Sequence, residues 1–318
     1  MTEKLENFRL PKYASPTKYN IELSPDLQEK KFLGNVDLSI NILEKTNEIS
    51  LNVAELQISS ININSDQDKN LKVINWDIDD KYEIMKINFS DILDPGEINL
   101  SISYTGILND KLRGFYHSTF DDSDGITQSI ATTQFESTDA RRAFPCFDEP
   151  EYKSVFSVSL IVNKDLFCVS NASIKNVDEN YTNELKKIDF ENTIPMSTYL
   201  VAFIVGPFEA SKAINVAGTD LRIIYPKGKG HLCDFALELG KYSLDYFSDY
   251  YKIPYPGDKL DMIAIPDFAF GAMENLGCIT YREALLLVDD KEATSNELIR
   301  IADVIAHEIA HMWFGDLV

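Results

Sequence analysis

Basic residues are few in this chain. Thirty Lys and Arg stand against 51 Asp and Glu among 318 residues, for a formal net charge of −21. That balance excludes the basic footprint of a nucleic-acid binder. Cysteine is scarcer still. Cys146, Cys168, Cys233 and Cys278 are scattered, with no CxxC pair. Buried free thiols in a reducing cytoplasm are therefore expected, rather than a disulfide framework. Long apolar runs are lacking, so no segment is expected to span a bilayer. The opening stretch, MTEKLENFRLPKYASPTKYN, holds no apolar region of the signal-peptide type. On that reading the "NAS" sequon at Asn171 carries no glycan.

What is present is the composition of a soluble globular protein, 44% hydrophobic and 25% charged. The length suits about two domains with their own cores. The first part of the chain reads as strands. "VDLSINI" alternates Val36, Leu38, Ile40 and Ile42 with polar residues, and "INLSISY" repeats the pattern with Ile98, Leu100, Ile102 and Tyr104. The second run follows a "DPG" turn at Asp94–Gly96. "VFSVSLIV" from Val155 is another strand. Strands in succession without helical patterns between them predict an antiparallel β-sandwich or saddle over residues 1–211.

The pattern changes over residues 212–318. "LRIIYP", "MIAI" and "CITY" read as short strands. Leu232, Phe235, Leu239, Tyr246 and Tyr250 recur at helical spacing between His231 and Tyr250. "TSNELIRIADVIAHEIAHMWFG" predicts a long helix, opened by a Thr294–Glu297 capping box and stopped near Gly315.

That last helix carries "HEIAH". Residues four apart share one helix face, so His307 and His311 can hold one metal. Imidazole suits Zn²⁺, which lowers the pKa of a bound water to about 7. Glu308, beside that face, can take a proton from such a water. The bland alternative is two helix histidines and a salt-bridging glutamate. The chain has four histidines in all, and His117 and His231 show no ligand spacing, so they read as surface or packing residues.

Two other stretches stand out. In "DFAFGAMENLGCITYRE", Gly271, Ala272, Met273, Glu274 and Asn275 lie between two apolar strands. A glycine there lets backbone approach a ligand, and an exposed strand edge could pair with an extended peptide. A plain loop is the alternative. "TTQFESTDARRAFPCFDEP" packs Gln134, Glu136, Arg141, Arg142 and Asp148 together, which a solvated loop with a salt bridge would also explain.

Taken together, "GAMEN" ahead of an HExxH helix, "QFESTDARRAFPCFDEP" and "MSTYLVAFIVGPF" from Met196 resemble the gluzincin aminopeptidases, kin of aminopeptidase N and leukotriene hydrolase. The resemblance runs over nearly the whole chain. It implies a saddle-like β domain followed by the first part of an α+β thermolysin-like catalytic domain. It implies zinc as cofactor, with His307 and His311 as ligands and Glu308 as general base. Glu274 and Glu136, with Gln134 nearby, would hold the free α-amine of a peptide substrate. Gly271 and Ala272 would align the scissile bond, with Met273 and Asn275 completing the substrate-binding stretch. An α-amine has a pKa near 8 and is mostly cationic at neutral pH, which suits two carboxylates aimed at it.

The chain departs from the family pattern at Leu276, where Trp is usual, and at Met312, where Gln is usual. The family's third zinc ligand is a Glu on the following helix, with a transition-state Tyr beyond it, and neither position falls within these 318 residues. A further C-terminal region or a partner chain is therefore expected to complete the site. The face formed by Leu298, Ile301 and Ile305 is expected to need covering by those helices. Two other readings stay open at this level: a non-catalytic scaffold of the same fold, and a zinc epoxide hydrolase relative. The intact HExxH and "GAMEN" weigh against the first, and "QFE" weighs against the second.

Overall fold

The computed structural model describes residues 8–64, 71–122 and 124–318. The described residues fold mostly as strands, followed by two α-helices near the C-terminal side. A seven-stranded sheet runs in the order Ile174–Asp178, Leu185–Phe190, Val155–Asn163, Ala14–Asp26, Lys31–Ile42, Gly96–Ile107, Leu56–Asn64. Lys31–Ile42 buries every second residue, Phe32 to Ile42, as its alternation predicts. The expectation of a wholly antiparallel arrangement meets one exception: Ala14–Asp26 pairs parallel with Val155–Asn163, Tyr19 opposite Phe156. Two strands so far apart in sequence have no hairpin to fix their direction, and either sense is open to them.

A four-stranded sheet, Phe167–Ser170, Phe203–Gly206, Thr127–Gln134, Gly114–Asp121, faces this core. Phe115 packs edge-on against both Phe32, at 5.2 Å, and Phe203, at 4.8 Å, and so joins the two sheets. The Thr127–Gln134 strand ends directly before Phe135 and Glu136, and Phe135 is fully buried against Phe144 and Phe203. That anchor fixes where Glu136 emerges.

The C-terminal part is built on Phe208–Ala210, Thr219–Pro226, Lys259–Ile265, Cys278–Arg282 and Ala272–Met273, with Ile214–Val216 paired to Thr219–Pro226. Lys259–Ile265 is parallel to both neighbours and buried at every residue, the signature of a strand covered on both faces. Helix α1, Asp234–Tyr251, makes the crossover between the first parallel pair. Its buried residues are Ala236, Gly240, Ser243 and Leu244. A Cβ at Gly240 would lie 2.8 Å from Met262 Sδ, so the helix sits tight on the sheet through small side chains. Tyr246 and Tyr250, expected on the buried stripe, are instead 49% and 66% exposed and stack with Tyr242 along the outer face.

Helix α2, Ser295–His311, begins with the expected capping box, Thr294 and Glu297 bonding reciprocally. Ile301 and Ile305 are 3% and 0% exposed. The expectation that this face awaits a cover is corrected for these two residues, which lie in the chain's own core with helix α1 packed alongside, while Leu298 is half-buried. The exposed apolar residues here are Ile299 and Phe314. All four cysteines are free and buried. No helix among the described residues is long and apolar enough to cross a membrane.

Candidate metal centre and amine-binding seam

Helix α2 turns His307 and His311 toward one point. Their Nε2 atoms stand 3.1 Å apart, with the rings edge to face. Two nitrogens that close require a proton or a metal cation between them. Zinc–nitrogen bonds of about 2.0–2.1 Å in a tetrahedron place two ligand nitrogens about 3.3 Å apart, so the pair fits zinc. His311 Nδ1 lies 3.0 Å from the Phe314 carbonyl. A carbonyl only accepts, so Nδ1 carries the proton and Nε2 offers its lone pair. Gly315 leaves room for this ring: its φ of +137° suits glycine, and a Cβ there would lie 2.9 Å from His311 Nδ1. The helix-stop reading of Gly315 missed this role. Among the described residues, no group of three His, Cys, Asp or Glu forms a metal-holding set.

Glu308 is 6% exposed, and its Oε2 has no hydrogen-bond partner. Burial first, then Glu274 and Glu136, push its carboxyl up to about 8. The Tyr281 hydroxyl is buried and unpartnered as well, and is raised well above its usual value by burial and by Glu308.

Glu136 comes from the β domain and Glu274 from the C-terminal part, yet the two are close enough to repel. Burial and then Glu274 raise the Glu136 carboxyl, while His311 pulls it down. Gln134 spans the same seam, its Nε2 3.5 Å from Met273 Sδ, and its buried Oε1 is unpartnered. Ala272–Met273 is the last strand of its sheet, antiparallel to Cys278–Arg282. Arg282 holds the approach to it: its backbone N–H donates to Gly271 O at 2.9 Å, and its guanidinium donates to Phe268 O and Ala269 O. A Cβ at Gly271 would meet only Leu285, at 3.4 Å, so neighbouring packing does not demand a glycine there. Asn275 turns inward: it is 1% exposed and donates to Thr280 Oγ1 at 3.2 Å.

Two further groups enter the site that the sequence reading passed over. Asp316 is 2% exposed with both carboxylate oxygens unpartnered. Burial and then Glu274 push it up to about 9, against the pull of Lys153. Tyr199 is raised to about 12 by burial, then by Glu274, Asp316 and Glu136. The signal for Asp316 was a lone charge within the apolar run "MWFGDLV". The rest of the polar cluster is structural. Arg141 donates to Asp148 at 2.9 Å and to Glu83, and Arg142 bridges Glu55, Glu83 and Asp139. His117 bonds Ser129 within the β domain. Asn171 is buried, with its side-chain amide fully engaged, so no glycan could attach without unfolding the seam.

One helix thus bears two convergent imidazoles and a buried glutamate, beside a sheet edge. The sequence matches the Peptidase M1 N-terminal domain over residues 15–200 and the Peptidase family M1 domain over residues 235–318. The chain belongs to the M1 peptidase family. It is 43% identical over 316 residues to aminopeptidase M1-A of Oryza sativa subsp. japonica, covering 98% of this chain and 35% of that protein. It is 40% identical over 310 residues to the puromycin-sensitive aminopeptidase of Caenorhabditis elegans, covering 98% of this chain and 33% of that protein. With the glutamyl aminopeptidase of Bos taurus it shares 37% over 318 residues, 98% of this chain and 33% of that protein. The chain thus spans about a third of the length of these relatives.

Proposed function

We propose that this chain is the front portion of a zinc aminopeptidase that removes residues one at a time from the free N-terminus of peptides. The observation that carries the reading is the His307–His311 pair, Nε2 to Nε2 at 3.1 Å, with the buried Glu308 on the same helix; Glu136 lies near enough to feel both His311 and Glu274. Glu274 raises the carboxyl of Glu136, and a cation placed between two carboxylates relieves such repulsion; a substrate α-amine is one. An interior peptide bond brings no such charge.

His307 Nε2 and His311 Nε2 would hold the zinc, and a further region of the protein or a partner chain would supply the remaining protein ligand. Zinc bound there supplies Lewis acidity and an activated water. Glu308 takes up a proton at its unpartnered Oε2 and returns it to the departing amine. Ala272–Met273 offers an open strand edge to which an extended substrate can add. Glu274 and Glu136 would hold the substrate's first residue, with its peptide bond toward His307, His311 and Glu308.

The four free thiols suit a reducing compartment, and the cytoplasm is the compartment we propose. The test of function is hydrolysis by the zinc-loaded full gene product of an aminoacyl reporter amide with and without N-acetylation. Cleavage of the free form only is expected; equal cleavage of both overturns the exopeptidase reading.

A further inference from the structure

Glu274 can pair with Glu136 only if two separate domains are held in register. Leu276 and Gly277, directly after Glu274 and Asn275, lie against Ser170 and Asn171 of the β domain. Asn171 Nδ2 donates to Leu276 O at 2.9 Å and to Leu200 O at 2.8 Å, while its Oδ1 accepts from Ala202 N at 2.8 Å. Lys259 Nζ donates to Ser170 O, Gly277 O and Asp261 Oδ2, each at 2.7 Å. An ammonium has three donors, so every one is used, and one of them crosses the seam.

Gly277 fits this contact and little else would. Its φ is +71°, and a Cβ there would fall 2.4 Å from the Asn171 carbonyl oxygen. From Asn171 a bonded path returns to the other carboxylate. Ala202 precedes Phe203, whose N–H donates to Thr133 Oγ1 at 3.3 Å, and Thr133 lies on the strand that ends at Gln134. A cavity of about 270 Å³ opens beside the seam, lined in part by Asn171, Lys259, Leu276 and Gly277. Leu276 is buried in the core, and on the cavity side the turn is held by these hydrogen bonds.

We propose that Asn171 and Lys259 are positioning residues for the amine-binding pair, locking the Leu276–Gly277 turn, and with it Glu274, to the domain that carries Glu136. The inference rests on the proposed aminopeptidase reading. Neither residue touches substrate; both act through the turn. The cation of Lys259 is set against Asp261, which Arg222 holds from the other side at 2.5 Å, so the anchor is itself rigid.

The experiment compares wild type with Asn171→Ala, Lys259→Met and Gly277→Ala in the zinc-loaded full gene product. For each, kcat and KM are measured on free and N-acetylated forms of one reporter amide, alongside the melting temperature and zinc content. A misplacement of about 1 Å at a reacting group costs about 10²-fold, so kcat/KM on the free form should fall by about that factor. The acetylated form should change little, so the preference for a free amine should collapse while zinc content holds. Variants that melt earlier but keep the wild-type preference overturn the proposal and leave the aminopeptidase reading intact. A wild type indifferent to acetylation overturns both. Should Asn171→Ala not fold, Lys259→Met and Gly277→Ala carry the test.

Discussion

His307 and His311 face each other Nε2 to Nε2 at 3.1 Å, and His311 is held in that pose by a carbonyl three residues further on. A side chain at Gly315 would collide with the His311 ring in that pose. Zinc affinity should therefore depend on Gly315 as well as on the histidines. His307→Ala should abolish specific binding. Gly315→Ala should weaken it about 10- to 100-fold, the usual effect of disturbing a group that orients a ligand. Competition with a chromogenic chelator measures both, without any need for activity. The 318-residue chain alone should bind zinc weakly, since no third donor joins the pair among the described residues. Unchanged affinity in Gly315→Ala would remove the orienting role.

The carboxylates across the seam lead to a second expectation. In the full gene product, Glu274→Gln and Glu136→Gln should each lower kcat/KM on a free-amine substrate. Each removes one charge-assisted contact worth about 1.5–3 kcal/mol, or roughly ten- to hundredfold. On the proposed reading the two share one cation, so the double variant should lose less than the sum of the singles. Steady-state kinetics on all four enzymes checks this; strict additivity would mean that the two do not act on the same group.

Strands such as Lys31–Ile42 were legible because one face is buried and the other is wet, which writes a period of two into the residues. The parallel pairing of Ala14–Asp26 with Val155–Asn163 was not legible, since no local pattern encodes a partner that distant. Helix α1 was legible as a helix, and its buried face in part: Phe235 and Leu239 pack against the core as expected. The most buried positions are Ala236, Gly240, Ser243 and Leu244, while Tyr242, Tyr246 and Tyr250, which look like core, stack on the outer face. In the site, the HExxH spacing is a local signal, and the structure brings its two histidines together. Lys259, Asp261 and Asp316 are charges whose meaning lies in their burial, and burial of a charge is the event that composition makes least expected. That is why the seam, unlike the histidine pair, had to be seen in three dimensions.

The Arg141–Asp148 pair gives a stability prediction in the β domain. The Asp148 side chain is 1% exposed and accepts from Arg141 Nε at 2.9 Å. Burial raises its carboxyl more than Arg141 lowers it, so the ion is held at a cost. Removing only the cation strands that anion. Arg141→Met should destabilise the protein by about 3–5 kcal/mol, whereas Arg141→Met with Asp148→Asn should recover part of the loss. Urea unfolding of the two variants against wild type decides it, and a single variant within about 1 kcal/mol of wild type would show the pair to be dispensable.

Asp261 supplies the pH prediction. It is 0% exposed, bonded to Arg222 at 2.5 Å and 3.2 Å and to Lys259 at 2.7 Å. Burial by itself would raise its carboxyl, but Lys259 and Arg222 together overcome that and hold it below its ordinary value. A folded value below the unfolded one means that the ionised form favours the native state. That stability is fully present above the unfolded value, near pH 4, and is lost as pH falls through the lower folded value. Asp261→Asn keeps the shape and removes the charge, leaving the Lys259 ammonium buried on carbonyls alone. The variant should be less stable than wild type by about 3–5 kcal/mol at pH 7. Urea midpoints taken from pH 7 downward should show that gap close below about pH 4, as the wild-type carboxyl protonates. Other carboxylates titrate in both proteins, and the difference between the two curves isolates Asp261. A gap that stays constant through the acid range would mean that Asp261 keeps an ordinary pKa, and that Lys259 and Arg222 do not stabilise its charge.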